Sequence, residues 1–244
     1  MQIDICTLFP DFFSGPLQSS ILKRAQESDR VQFQLHNIRD WSNDKHHTAD
    51  DRPFGGGPGM VLKPEPIFEM LESLALPAGT PVILTSPRAP LFGQRDAEKL
   101  AQAPHLVFLC GHYEGIDERV CEQLCTHAYS IGSYVLTGGE PATLVMADAI
   151  VRLIPGVVGC ADSVVQDSFS ENLLDCPHYT RPAKFRDWEV PDVLLSGNHA
   201  EIAKWRRKEQ VLATYKYRPD LLAQATLTPA ETALLQALKE ENTP

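Results

Sequence analysis

Apolar positions along the chain fall into short unbroken runs and stripes at helical spacing, in alternation. His105 to Cys110 (HLVFLC) is largely apolar and too short for a helix, which predicts a buried strand ending at Gly111. Ile116, Val120 and Leu124 then recur at i, i+4, i+8, the stripe of a helix packed on a sheet. Tyr129 to Leu136 reads as a second strand broken by Gly132, closed by Gly138-Gly139 before a helical pattern from about Ala142 to Ile154. Upstream, Ile3 to Leu8 predicts a strand, and Ser14-Gly15-Pro16 opens a helix with Leu17, Ile21 and Ala25 on one face. Val31, Phe33 and Leu35 alternate with Gln32, Gln34 and His36, the pattern of a strand with one core face. Pro64 to Leu74 and Gln94 to Ala103 predict helices on either side of a buried strand, Pro81 to Thr85. Strands alternating with helices imply an α/β fold with a mostly parallel sheet and helices on both faces.

The pattern changes after Pro155-Gly156. Val157 to Pro182 has no sustained period and reads as a linker with polar residues available for function. Beyond it, Asn198 with Glu201, and Thr228 with Glu231, mark two helix starts by the capping-box spacing. The expected organisation is residues 1–160 as an α/β domain, 161–176 as interdomain linker and 177–244 as a small all-helical domain.

At 244 residues, 43% of them hydrophobic and 22% charged, the composition is that of an ordinary globular protein. No apolar run approaches the roughly 20 residues that span a bilayer, and the acidic start MQIDICTLFPDFF lacks a signal peptide's basic region. A cytoplasmic location is expected. None of Cys6, Cys110, Cys121, Cys125, Cys160 and Cys176 forms a C-x-x-C pair, so buried free thiols are expected rather than a metal cluster with His112 and His127. His46 and His47, beside Asp44, Asp50 and Asp51, read as a solvated loop. RPFGGGPGM lacks the P-loop G-K-[ST] and the G-x-G-x-x-G fingerprint, which disfavours nucleotide hydrolysis and Rossmann binding. The net charge of −10 argues against a general affinity for phosphate, yet Arg181 to Arg218 holds nine Lys or Arg against five Asp or Glu. Phosphate contacts are therefore expected in the last third of the chain.

Two glycine turns, GHYEGIDER and IGSYVLTGGE, stand close in sequence with backbone N–H groups open to a ligand. In this order, together with LFPDFF, RPFGGGPGMVLKPEP, RLIPGVVG, DSF, LLDCPHYTRP and VLLSGNHAEIAKWR, they resemble the bacterial tRNA (guanine-N1)-methyltransferases, knotted SPOUT-class enzymes, over the whole chain. The resemblance implies a trefoil knot around residues 85 to 140, toward the C-terminal part of the N-terminal domain. It implies S-adenosyl-L-methionine as methyl donor, guanine 37 of tRNA as acceptor, a homodimer with a shared active site and dependence on Mg2+ at a site the sequence does not locate. On the family pattern Asp167 would accept the N1 proton and Arg152 would face O6. Backbone groups of Gly111 and of Ile131, Gly132, Ser133, Tyr134, Val135 and Leu136 would hold the donor. Leu84, Thr85, Ser86, Pro87, Tyr113, Gly138 and Gly139 would wall it, Glu114 would face its ammonium or sulfonium end, and Gly59 would be approached by donor or partner subunit. Three positions depart from the family pattern: Ser133 in place of aspartate, His112 in place of arginine, and Pro141 directly after Glu140. A knotted methyltransferase acting at another RNA position and a catalytically silent RNA-binding protein stand as alternatives.

Overall fold

The structure is a computed structural model that describes residues 1–159 and 167–241. The chain divides into two compact units, Met1–Gly159 and Cys160–Pro244.

The first unit is built on five parallel strands: β1 (Gln2–Thr7), β2 (Gln32–Asn37), β5 (Val82–Thr85), β6 (His105–Cys110) and β7 (His127–Tyr129), in the order β2-β1-β6-β5-β7. A two-stranded antiparallel ribbon, β3 (Asp50–Asp51) and β4 (Val61–Leu62), stands apart. The central strands are apolar on both faces because both faces are covered. Ile3, Ile5, Ile83, Leu106 and Phe108 point into one core, against Leu22 and Ala25 of α1 (Ser20–Glu27), Ala97 and Leu100 of α3 (Gln94–Leu100), and Met146 and Ile150 of α5 (Glu140–Val151). Cys6, Val82, Leu84, Val107 and Leu109 point into the other, against Ile67 and Met70 of α2 (Pro64–Ser73) and Val120 of α4 (Glu118–Gln123). Phe108 is fully buried at the centre, and burying such a side chain contributes about 1.5–3 kcal/mol.

One polar group sits inside the second face. Asp4 is buried on β1 and bonded to His36 of β2 at 2.6 Å and to His105 of β6. Burial alone would raise its pKa, but the hydrogen bonds and charges of the two imidazoles outweigh it and hold the carboxyl below its ordinary range.

Three expectations change in this unit. The single helix from Pro16 is a 3-10 turn, Pro16–Gln18, followed by α1, because Ser19 is extended and Ser20 takes a positive φ of 48°. Leu35 is 37% exposed, since β2 is an edge strand with little packed over it. The strand expected over Tyr129 to Leu136 stops at Tyr129, and Tyr134, Val135 and Leu136 are 55%, 85% and 40% exposed. An apolar run without a neighbouring strand to pair its backbone stays irregular.

The second unit has its own core of Leu173, Val211 and Leu235. Its main helices are α7 (His199–Tyr217) and α8 (Pro229–Glu241), with a short α6 (Asp192–Leu195) before them. Asn198 caps α7 through the Glu201 N–H at 3.3 Å, and Thr228 and Glu231 form the reciprocal capping box of α8. The unit is not all-helical: β8 (Lys184–Phe185) and β9 (Trp188–Glu189) form a hairpin. Within the expected linker, Leu173 is buried in this unit's core and the Leu174 N–H donates to Thr214 Oγ1 at 2.8 Å. Residues 160–166, including the expected boundary and Cys160, lie outside the described residues.

Candidate functional site

Strands β5, β6 and β7 end side by side, so the turns that follow them meet at one edge of the sheet, where open α/β folds hold ligands. Backbone bonds tie the turns together: Ser86 N–H donates to the Tyr129 carbonyl at 3.0 Å, Phe92 N–H to Ser130 at 2.8 Å, and Gly139 N–H to Gly111 at 2.8 Å. The glycine-rich loop joins them from the second core's side, where the Glu114 N–H donates to the Met60 carbonyl at 3.0 Å. Gly59, with φ +86°, lies against the Glu114 side chain, and a Cβ there would come within 2.5 Å of its Cγ. The missing side chain at Gly59 therefore leaves the space that the Glu114 side chain fills.

The turns enclose a cavity of about 380 Å³, within the size range of small-molecule sites. Of the residues the sequence nominated, Leu84, Thr85, Ser86, Pro87, Gly111, Tyr113, Glu114, Ile131, Gly132, Tyr134, Val135, Leu136, Gly138 and Gly139 line it. Ser133 is exposed and not among the lining residues. Ile116, whose helical spacing had marked it as core, and Ala142 line it as well. Arg88 also reaches it, paired with Glu118 at 2.7 Å.

The three departures now have positions. The His112 ring packs on Phe9 and Tyr113 with centroids 4.8 and 4.7 Å away, and its Nδ1 is buried without a hydrogen-bond partner among the described residues. Pro141 lies in the first turn of α5, where no N–H is needed, so the helix starts at Glu140 rather than at Ala142. Glu140 is buried and accepts a hydrogen bond from Thr7 Oγ1 at 2.6 Å. Cys110 beneath the site is fully buried, and desolvation pushes its thiol well above the ordinary range, so it is no nucleophile at neutral pH.

A donor with an adenine ring, a ribose and a sulfonium centre fits these residues. The cavity offers apolar walls at Leu84, Ile116 and Ala142, the 131–138 turn with its main-chain polar groups, and the side chains of His112 and Glu114. Magnesium does not fit a side-chain cluster in the same way. Among the described residues the one His/Cys/Asp/Glu group with metal-like spacing is Asp175, Cys176 and His178 in the second unit, whose sulfur and nitrogen donors do not suit a hard, oxygen-seeking cation.

Arg152 follows α5 as its C-cap and is half-buried in the first unit, outside the cavity lining. Asp167 belongs to the second unit, where its carbonyl accepts from Ser170 Oγ at 2.8 Å. Neither residue is without an interaction partner. Elsewhere, Asp44 is the organiser of its loop, accepting the His46 and Thr48 N–H groups, and the Thr48 bond foremost keeps its carboxyl strongly acidic.

Fold and cavity together define a parallel α/β protein with a cavity of small-molecule size at the carboxyl ends of its strands, joined to a second unit whose Arg181 to Arg218 stretch carries an excess of arginine and lysine. The tRNA (Guanine-1)-methyltransferase TrmD family matches residues 1–224. A tRNA (guanine-N(1)-)-methyltransferase of Brevibacillus brevis is 55% identical over 241 residues, 99% of each chain. Proteins of the same name from Dehalococcoides mccartyi and Bacillus cereus are 54% and 53% identical, over 245 and 242 residues and at least 98% of each chain. The chain belongs to the TrmD family.

Proposed function

We propose that this protein transfers a methyl group from S-adenosyl-L-methionine to N1 of guanine 37 in tRNA, next to the anticodon. The observation that carries the reading is the meeting of the 84–87, 111–114 and 131–139 turns around one cavity, in a chain that belongs to this family. When bound, the donor supplies an electrophilic methyl carbon whose bond to sulfur breaks with the electron pair returning to sulfur.

The chain's own residues supply the rest. Main-chain groups of Gly111 and of Ile131, Gly132, Tyr134, Val135 and Leu136 would hold the donor, with Glu114 toward its cationic end. Asp167 takes the proton from guanine N1 as general base, freeing the nitrogen lone pair for the new bond to carbon. Arg152 stabilises the negative charge that collects on O6 as the proton leaves.

The reading extends to a homodimer that shares its active sites and works in the cytoplasm. Support for a partner surface comes from α5, which is apolar on nearly every side yet leaves Val145 51% exposed, and from Phe9 and Phe12, each 44% exposed. None of the described helices is long and apolar enough to cross a membrane. The trefoil knot expected around residues 85 to 140 belongs to the same proposal. Neither a silent RNA-binding role nor a different RNA position has an observation in its favour. Calorimetric titration with S-adenosylhomocysteine, followed by transfer of label from the methyl donor to tRNA, tests the function. Binding and transfer are expected; absence of both would overturn it.

A further inference from the structure

The second unit contains a cavity of about 390 Å³ formed entirely by residues between Pro177 and Arg206. Its walls are the LLDCPHYTRP segment, α6 and the start of α7. Leu194 and Ile202 make an apolar floor, and Tyr179 and Trp205 bring two rings to it with centroids 6.3 Å apart. None of the twelve lining residues is acidic, in a chain of net charge −10.

The charges around this cavity differ from the other cations nearby. Of the basic residues between 181 and 218, Lys184, Lys204, Arg207 and Arg218 are each committed to an acidic partner. Arg186 and Lys216 lie over the rings of Phe185 and Tyr217. Arg181, Arg206 and Lys208 are in no ion pair among the described residues, and of these three Arg181 and Arg206 line the cavity. The β8–β9 hairpin adjoins through Ala183 and Val190, which also line the cavity, and it carries Phe185 and Trp188 at 57% and 66% exposure. Exposed aromatic rings interleaved with arginines make a surface that takes bases by stacking and phosphates by charge.

We propose that this cavity holds one unpaired nucleotide of the tRNA, with its base against Tyr179 and Trp205 and its phosphate at Arg181 and Arg206. The proposal rests on the reading of the protein as a tRNA methyltransferase, and it names a second contact remote in sequence from the donor cavity.

The test uses the full chain and an unmodified tRNA transcript, with binding measured across a salt series. Tyr179→Ala is expected to weaken binding roughly 5- to 100-fold with little change in salt slope, whereas Tyr179→Phe, which keeps the ring, retains wild-type affinity. The Arg181→Ala/Arg206→Ala pair is expected to flatten the slope of log affinity against log salt by about 1 to 2. Lys204→Ala, whose ammonium already has Glu201, serves as the control and leaves the slope unchanged. Thermal melting and S-adenosylhomocysteine binding should match wild type throughout, because Tyr179, Arg181 and Arg206 are exposed. Wild-type affinity and slope in both the alanine variant of Tyr179 and the arginine pair would overturn the inference. Methyl transfer by the wild-type protein, measured in parallel, distinguishes that failure from a failure of the functional reading.

Discussion

Gly139 is a glycine because of packing. A Cβ there would collide with Thr85 Oγ1 and come within 2.9 Å of the Cys110 Cα and the Gly111 N, backbone that cannot give way. Its φ of −80° is open to any residue, so the constraint is the close approach of α5 to the ends of β5 and β6. Gly139→Val is therefore expected to cost about 1–3 kcal/mol or more of stability in urea denaturation. Wild-type stability with lost donor affinity would contradict this and show instead that the donor alone needs the space. Asp167→Ala is expected to leave S-adenosylhomocysteine binding intact and slow methyl transfer by about 10² to 10⁴-fold, the contribution of a positioned general base. Single-turnover transfer at the wild-type rate would remove Asp167 from the mechanism. Most residues of the cavity were named through the family resemblance, which the two glycine turns helped to carry; the turns by themselves showed only where backbone N–H groups lie open. Ile116 was not named, since a residue whose spacing marks it as core gives no sign that one side of it faces a cavity.

Elements carry two further predictions. Arg207 looks from sequence like one more cation on a basic helix, yet its guanidinium donates to Glu231 on α8, to Glu171 and to the Thr226 carbonyl, each at 2.7–2.8 Å. It holds α7, α8 and the segment before them together, so Arg207→Ala is expected to lower the stability of the second unit by roughly 1–3 kcal/mol, whereas Lys204→Ala, exposed and paired only with Glu201, leaves it close to wild type. Calorimetric melting of both variants checks the contrast. Sequence showed the charge of α7 but not that Arg207 was already used, because Glu171 and Glu231 are distant from it in the chain. In the sheet, Asp4→Ala removes the acceptor for His36 and His105 and is expected to cost about 1–3 kcal/mol at neutral pH. Asp4 has a lowered pKa in the folded protein, so its contribution is present above the ordinary carboxylate value of about 4 and is lost as pH falls through the folded value. The stability gap between wild type and Asp4→Ala should accordingly narrow in acid. A gap that widened there would contradict the assigned sign.

At the scale of the whole molecule, alternating strands and helices predicted a parallel sheet covered on both faces, and the order β2-β1-β6-β5-β7 bears that out. The hairpin β8–β9 was not legible, because two strands of two residues each are too short for any period to appear. The two units have separate cores, which predicts a division of labour. Met1–Gly159 produced alone is expected to fold and bind S-adenosylhomocysteine but not to retain tRNA at moderate salt. The site of methylation is read out by nucleotide mapping, by mass spectrometry, of a tRNA transcript carrying guanine 37 that has been incubated with the protein and isotopically labelled S-adenosyl-L-methionine. Label is expected on N1 of guanine 37 and none in a transcript with adenine at that position; label on another atom or nucleotide, or no label at all, would overturn the proposed function.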